Sequence, residues 1–307
     1  MSKIFLPQRL EKPLTDPFHS VDKHNEELYQ FLSENLDEGG RPTLDDIKFV
    51  RTTDKYGRNV FRRTLADYIT KEKPDFPFKT WTEEQVTNKF HKLKTYDWTK
   101  WISTRDNKDV LEKYDDYKYS YSKYGLGVID APPSYNSISD SFMNPLRLAC
   151  GSYGFKSPVQ RWNEGDNIWG AFGPIWRGIN DTCDLNAITY LGAFRLGTYI
   201  ATQFKPTVAK TIYQMTDAKT VLDTSMGWGD RLTGFYASDA THYIGCDPNP
   251  NTFKVYEEMI KFYNKLTGGQ KTTQIYNCGA EDLPWDEINN VDCAFTSPPY
   301  FSTERYN

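Results

Sequence analysis

The residues best suited to chemistry begin with a glycine turn, Asp223 to Arg231 (DTSMGWGDR), between a strand-like and a helix-like segment. Glycines let the backbone approach a ligand closely, and the N-terminus of the following helix offers free N–H groups. A pyrophosphate-binding G-x-G-x-x-G fingerprint would need a third glycine, but Leu232 follows Gly227 and Gly229 at that spacing. The turn is therefore compatible with a bound ligand or with a plain strand-to-helix connection.

A carboxylate, Asp247, ends the next strand-like segment, 20 residues after Gly227. A carboxylate in this position can accept hydrogen bonds from both ribose hydroxyls of an adenosyl group. The alternative is a helix N-cap ahead of Pro250, a position that Asp also favours. In combination, the glycine turn and Asp247 favour an adenosyl-containing ligand.

A third element, Thr296 to Phe301 (TSPPYF), follows another strand-like segment. A Pro-Pro pair can simply end a strand. Ligands of open α/β sheets, however, bind outside the carboxyl ends of the strands. The element from Thr296 to Phe301 follows its strand as Asp223 and Asp247 follow or end theirs, which predicts that all three lie at the same edge of the sheet and belong to one site.

Alternating strands and helices must position these three elements. The predicted strands are 220–223, 243–246, 272–276 and 291–295. The predicted helices are 187–203, a helix that begins at Pro206, a helix that ends near Ser238, and 250–266. Such alternation implies crossover connections and a parallel sheet. The predicted class is α/β, a Rossmann-like sheet of about four parallel strands after an N-terminal region that is mostly helical or irregular.

The chain resembles the S-adenosylmethionine-dependent amino-methyltransferases that modify adenine N6 or cytosine N4 in DNA. The resemblance is carried by Ser297-Pro298-Pro299-Tyr300, which matches the family's S/D/N-P-P-Y/F element, and it covers about residues 195–301. Phe204-Lys205-Pro206 looks like the segment that contacts the methionine end of the cofactor. Gly279 to Asp282 resembles the stretch that contacts its adenine. The order of these elements is similar to the γ-type arrangement, and the Ser form favours cytosine N4 over adenine N6.

The resemblance implies roles for individual residues. The implied cofactor-binding residues are Phe204, Pro206, Asp223, Gly227, Gly229, Asp247 and Asp282. The implied catalytic residues are Ser297, Pro298, Pro299 and Tyr300, and the implied stacking residues are Tyr300 and Phe301. An exocyclic amine is a poor nucleophile, so a hydroxyl and a carbonyl that accept its N–H bonds would aim its lone pair at the methyl group. A DNA base would have to be flipped out of the duplex to reach this site.

The family's sheet has seven strands, whereas four are predicted here before Asn307. We therefore expect a missing C-terminal segment or a second, completing chain, and we expect this chain alone to bind the cofactor weakly and to transfer no methyl group. The predicted domains are 1–140, of unknown role, and 141–307, the methyltransferase domain.

Charge and aromatic content leave other functions open. The net charge of −4 gives no global basic field, although the segment 76–101 interleaves lysines with aromatic residues. That pattern suits a nucleic-acid surface, and it equally suits an amphipathic helix over 83–94. The alternatives are an RNA or protein-glutamine N-methyltransferase, or a non-catalytic nucleic-acid-binding protein that retains a vestigial methyltransferase fold.

Cysteine and histidine spacing indicates neither a disulfide framework nor a metal site. The 5 cysteines are odd in number and form no C-x-x-C pair, and the 4 histidines form no i, i+4 pair. The N-terminus lacks the apolar run of a signal peptide, and no apolar stretch is long enough for a membrane span. The sequence thus predicts a cytoplasmic protein with reduced thiols that binds neither metal nor membrane.

Overall fold

A computed structural model describes residues 25–47, 50, 55–103, 128–129, 133–152, 154–164, 184–196 and 198–298. Pro299, Tyr300 and Phe301 lie outside these residues. The chain divides into two compact units. Of the described residues, the first unit contains those up to 79 and those from 147 to 201, and the second contains 80–146 and 202–298.

The helices of the described residues are α1 (Glu26–Glu34), α2 (Lys55–Glu72), α3 (Glu83–Lys94), α4 (Ser137–Ala149), α5 (Pro158–Trp162), α6 (Ala187–Arg195), α7 (Pro206–Met215), α8 (Asp230–Ala237) and α9 (Pro250–Thr267). The strands are β1 (Ile102–Ser103), β2 (Val128–Ile129), β3 (Thr220–Asp223), β4 (His242–Cys246), β5 (Thr272–Tyr276) and β6 (Cys293–Ala294). Within the described part of the chain, no helix is both long and apolar enough to span a membrane.

The first unit is built around buried aromatic and aliphatic side chains of α1, α2, α5 and α6. Two of its buried polar groups are paired with backbone carbonyls: Trp162 Nε1 donates to the Pro74 carbonyl at 2.9 Å, and the Tyr190 hydroxyl donates to the Pro42 carbonyl at 2.7 Å. The predicted boundary at residue 140 falls inside α4, a continuous helix with Pro145 in its interior. Within this helix the chain passes from the second unit, which includes residue 146, to the first unit, which resumes at residue 147.

The second unit carries a four-stranded, all-parallel sheet in the order β5-β4-β3-β6. The predicted α/β class and the four parallel strands are confirmed, and the order is compatible with a Rossmann-like fold. Along β3, Val221, Leu222 and Asp223 are all buried, because parallel strands are covered on both faces. β1 and β2 form a separate antiparallel pair.

Two predicted segments are longer than in the structure. The helix predicted over 187–203 ends at Arg195, because Leu196 adopts an extended backbone with ψ of 121°. The last strand, predicted over 291–295, is confined to Cys293–Ala294. The predicted α3 and β5 have the observed bounds.

Helix α3, in the lysine- and aromatic-rich segment, is amphipathic and packs within the second unit. A capping box between Thr82 and Gln85 begins the helix. Its apolar face buries Val86, Phe90 and Leu93, and the Phe90 ring stacks on Tyr263 with centroids 5.3 Å apart. The amphipathic-helix interpretation of this segment therefore holds over 83–94.

Lys210 of α7 completes the C-terminus of α3. Its ammonium group donates to the carbonyl oxygens of Leu93, Lys94 and Tyr96 at 2.9, 2.7 and 2.9 Å. These acceptors include carbonyls that the last turn of a helix leaves without partners. Burial lowers the pKa of Lys210 to about 8, although the carboxylates of Asp239 and Asp97 oppose that shift.

Candidate functional site

The strand order creates a crevice at the carboxyl edge of the sheet. From β3 the chain proceeds outward through β4 to β5 and then returns to place β6 on the other side of β3. The strand order therefore reverses between β3 and β6. Open α/β sheets bind ligands beyond the carboxyl ends of the strands at such a switch point. The residues just beyond these two strands therefore form the candidate site.

Hydroxyl groups connect the two sides of this crevice. Ser225 Oγ, after β3, lies 2.6 Å from Thr296 Oγ1, after β6. Thr224 Oγ1 donates to the same Thr296 oxygen at 3.3 Å. Ser297 and Pro298 follow directly and are exposed to solvent. The first half of the Ser-Pro-Pro-Tyr element thus lies beside the start of the glycine turn.

The glycine turn requires glycine at two positions. Gly227 and Gly229 have φ values of 58° and 74°, in the left-handed region that side chains disfavour. A Cβ on Gly229 would also lie 2.6 Å from Cε of Met259. A Cβ on Gly227 would meet no atom closer than 3.8 Å, so its turn leaves open space where a ligand could approach.

Asp223 was predicted to bind the cofactor, but its carboxylate faces the interior of the second unit. Arg231 Nε donates to Asp223 Oδ2 at 2.8 Å, and the Tyr243 hydroxyl donates to the same oxygen at 2.7 Å. Arg231 also donates to the Ser225 carbonyl. Burial acts to lower the pKa of Arg231, but the charge and hydrogen bond of Asp223, together with Tyr243 and Tyr213, outweigh it, so that pKa is raised. Asp223 therefore holds the turn in shape from beneath.

Four donor groups of its own chain lie within hydrogen-bonding distance of the Asp247 carboxylate. Oδ1 accepts from Asn249 N at 3.0 Å and from Thr252 Oγ1 at 3.3 Å. Oδ2 accepts from Gly227 N at 2.9 Å and lies 3.1 Å from the Tyr256 hydroxyl. Burial raises the pKa of Asp247, and these hydrogen bonds oppose the shift. The N-cap alternative is not what the structure shows, since the capping side chain of α9 is Asn249.

The Tyr256 hydroxyl leaves Asp247 able to accept one more donor. That hydroxyl has a single proton and two acceptors within reach, Asp247 Oδ2 and the Gly227 carbonyl. When it donates to Gly227, Oδ2 accepts only from the Gly227 N–H. A ligand hydroxyl could then occupy the second acceptor position, so the residues present fit an adenosyl ribose.

Phe204 and Pro206 also adjoin the crevice. The Phe204 ring lies 5.4 Å from the Phe295 ring and 5.7 Å from the Arg231 guanidinium carbon. Pro206 is buried and lies in the first turn of α7, a position where the missing N–H of proline costs no hydrogen bond. The segment around Phe204 therefore lies near the residues that follow β3 and β6.

Sequence reasoning missed two residues that support the turn. Asn136 Nδ2 donates to the Phe204 carbonyl at 2.5 Å and to Asp230 Oδ1 at 3.0 Å. Ser139 also donates to that Asp230 oxygen. Asn136 immediately precedes α4, and Ser139 lies in the first turn of that helix. A polar residue ahead of a helix is the sequence signal that could have identified Asn136. Asn136 and Ser139 hold the first residue of α8 beside Phe204.

Asp282 lies apart from the buried part of the site. It ends a short 3₁₀ helix, Ala280–Asp282, and is exposed. The stretch leading to it is anchored near Asp247, because Asn277 Nδ2 donates to the Asp247 carbonyl at 2.9 Å. Among the described residues, no group of three or more His, Cys, Asp or Glu could hold a metal ion.

No protein-family model matches the chain, and no curated protein and no solved structure matches it. A functional assignment therefore rests on the geometry of the site rather than on a relative.

Proposed function

We propose that the second unit binds S-adenosylmethionine and transfers its methyl group to an exocyclic amino group of a DNA base, with cytosine N4 favoured over adenine N6. One observation carries the proposal. The switch point between β3 and β6 brings the glycine turn and the Thr296-Ser297-Pro298 segment together, with Ser225 Oγ and Thr296 Oγ1 2.6 Å apart. In the proposed reaction, the methyl donor held by the glycine turn and the amine held by the Thr296-Ser297-Pro298 segment would meet at this junction.

Four residues would hold the cofactor. The Gly227 turn leaves room for close approach, and Asp247 Oδ2 could accept a ribose hydroxyl. Phe204 would line the methionine end, and Asp282 the adenine end. Asp223 acts indirectly through Arg231. When bound, the cofactor supplies an electrophilic methyl group on a sulfonium.

The chain's own groups would orient the acceptor. The Ser297 hydroxyl and the Pro298 carbonyl would each accept an N–H of the target amine, which frees the nitrogen lone pair to point at the methyl group. Transfer would then depend on positioning and electrostatics rather than on a general base. Tyr300 or Phe301 would stack on the flipped base. Both lie outside the described residues, as does Pro299, so these roles stay predictions.

Cofactor binding is tested first, by calorimetry with S-adenosylmethionine and with S-adenosylhomocysteine. We expect the unchanged chain to bind both and Asp247→Asn to weaken binding about tenfold, about 1.4 kcal/mol. The matched control is Asp286→Asn, an exposed carboxylate in the same unit. Absence of binding at millimolar cofactor, or equal affinity of both variants, would reject the cofactor assignment.

Substrate class is tested with methyl-labelled cofactor and a panel of acceptors. The panel contains duplex and single-stranded DNA, RNA, and a glutamine-containing peptide. Label on cytosine N4 supports the proposal as stated, and label on adenine N6 changes only the base. Label on RNA or peptide replaces the substrate class, whereas salt-sensitive DNA binding that ignores the cofactor favours the non-catalytic alternative. Binding without transfer to any of these acceptors would leave cofactor binding as the only supported part of the proposal.

A further inference from the structure

A cavity of about 290 Å³ lies in the first unit, between the start of α1 and the last turns of α2. Its lining residues are Glu26 and Tyr29 of α1 and Asp67, Thr70 and Lys71 of α2. The two helices pack on one another through the apolar core of that unit. The cavity is therefore framed by packed helices, and it belongs to the first unit, whereas the candidate site described above belongs to the second.

Carboxylates outnumber cations around this cavity. Its lining contains two carboxylates and one ammonium group. A third carboxylate, that of Glu72, accepts a hydrogen bond from the Tyr29 hydroxyl at 2.6 Å. A second cation is present beside the lining, since Arg63 Nε lies 2.8 Å from Asp67 Oδ1. With both cations counted, one negative charge is left over, and this balance favours a positively charged occupant.

The Tyr29 ring already holds a cation that belongs to the protein. Lys71 Nζ lies 4.9 Å from the centre of that ring, within the distance at which an aromatic face attracts an ammonium group. The Lys71 side chain is 72% exposed, and its ion pair with Glu72 is 3.6 Å long. Because exposed ion pairs contribute little to stability, an ammonium group from solution can take the place of Lys71 on the ring at low cost.

Thr70 adds a polar group that the fold does not use. Its Oγ1 is buried and has no hydrogen-bond partner among the described residues. A threonine within a helix can donate to a carbonyl of the preceding turn, and buried hydroxyls without any partner are uncommon. An N–H group held in the cavity would give this oxygen a partner.

We propose that the cavity binds a small organic cation with primary ammonium groups, of the size of a short alkyl diamine. One ammonium group takes the position of Lys71 on the Tyr29 ring. Glu26 and Asp67 lie on different helices, and together they neutralise the two charges of a diamine. The volume is close to the lower end of the range of about 300–1,000 Å³ for ligand pockets, which suits so small a molecule. This proposal does not rest on the function proposed for the second unit.

Calorimetry of the full chain with 1,4-diaminobutane tests the site. We expect saturable binding of the diamine. Tetramethylammonium should bind more weakly, because it has no N–H to donate, and succinate, a dianion of similar length, should not bind. Absence of saturable binding at millimolar diamine, or binding of succinate as strong as that of the diamine, would overturn the proposal.

A lysine pair tests the position on the ring. Lys71→Met removes the cation that competes for the Tyr29 face, so we expect the affinity for the diamine to rise about threefold. The matched control is Lys73→Met, at an exposed lysine outside the lining, which should change the affinity less. A gain in affinity cannot come from a misfolded chain. Equal affinities in the two variants would contradict the displacement of Lys71.

A glutamate pair tests the counter-ion. Glu26→Gln should lower the affinity for the diamine about threefold. Glu34→Gln, at an exposed position at the other end of α1, should leave it unchanged. Equal losses in these two variants would show that the diamine responds only to the net charge of the chain, and the cavity would be rejected as its site.

Discussion

Thr296 Oγ1 lies 2.6 Å from Ser225 Oγ, and this contact joins the residues that follow β6 to those that follow β3. The two positions are 71 residues apart in the sequence. Ser225 begins the segment proposed to hold the cofactor, and Thr296 precedes the serine proposed to hold the target amine. Thr224 Oγ1 also donates to Thr296 Oγ1, so two hydroxyl groups that follow β3 position the residue that precedes Ser297.

The first prediction removes that link. Thr296→Val keeps the side-chain shape and deletes the hydroxyl, so in a form of the protein that transfers methyl groups we expect the transfer rate to fall by about 3- to 10-fold, the value of one hydrogen bond. Cofactor affinity should stay within about twofold, because Asp247 and the glycine turn are untouched. Thr296→Ser restores the hydroxyl and should restore the rate. Equal rates for the valine and serine variants would contradict the role given to Thr296.

The second prediction concerns Asp223, a buried structural residue rather than a ligand contact. Asp223→Ala leaves the Arg231 guanidinium buried without its ion-pair partner, so we expect the free energy of unfolding to fall by about 3–5 kcal/mol. The double variant Asp223→Ala/Arg231→Met removes the stranded charge and should recover part of that loss. Urea denaturation measures both. A loss below about 1 kcal/mol in Asp223→Ala would show that the ion pair is not needed.

The parallel sheet was predictable because its signals are local. Val221 and Leu222 form a short apolar run ahead of the glycine turn, and the order of strands and turns in the sequence places their carboxyl ends on one edge. Asp247 was found at that edge for the same reason. Gly227 and Gly229 have positive φ values, so the turn needs glycine at both positions; their predicted role in cofactor binding stays a prediction.

The partners of charged side chains were not predictable in this way. Lys210 lies in α7, the helix that follows the Phe204-Lys205-Pro206 segment, yet it donates to carbonyl oxygens more than 100 residues earlier in the chain. Lys271 likewise completes the end of a helix: it donates to the carbonyls of Phe235, Ser238 and Ala240 at the C-terminus of α8. Which helix end a lysine completes depends on tertiary packing, and periodicity within a single segment contains no record of it.

The third prediction measures the contribution of Lys210 to stability. Lys210→Met keeps most of the apolar stem but removes the donor from three carbonyl oxygens, so we expect a loss of about 2–4 kcal/mol in the free energy of unfolding. The matched control is Lys265→Met, which removes an exposed ion pair with Glu83 and should cost less than about 1 kcal/mol. Urea denaturation compares the two. Similar losses in both variants would show that the carbonyl contacts add nothing.

The fourth prediction is a loss of stability at alkaline pH from buried tyrosines. Burial, followed by the charge of Asp223 or Asp247, raises the pKa of Tyr213, Tyr243 and Tyr256 well above the ordinary value. Because the folded-state pKa is raised, their contribution is complete below the unfolded-state pKa of about 10 and declines above it, by about 1.4 kcal/mol per pH unit for each tyrosine. Urea denaturation from pH 8 to 11.5 should therefore show a plateau and then a steep fall. Tyr213→Phe should reduce the slope of the free energy of unfolding against pH by the contribution of one tyrosine, about 1.4 kcal/mol per pH unit. Full tyrosinate absorbance from a chain that is still folded would contradict the prediction.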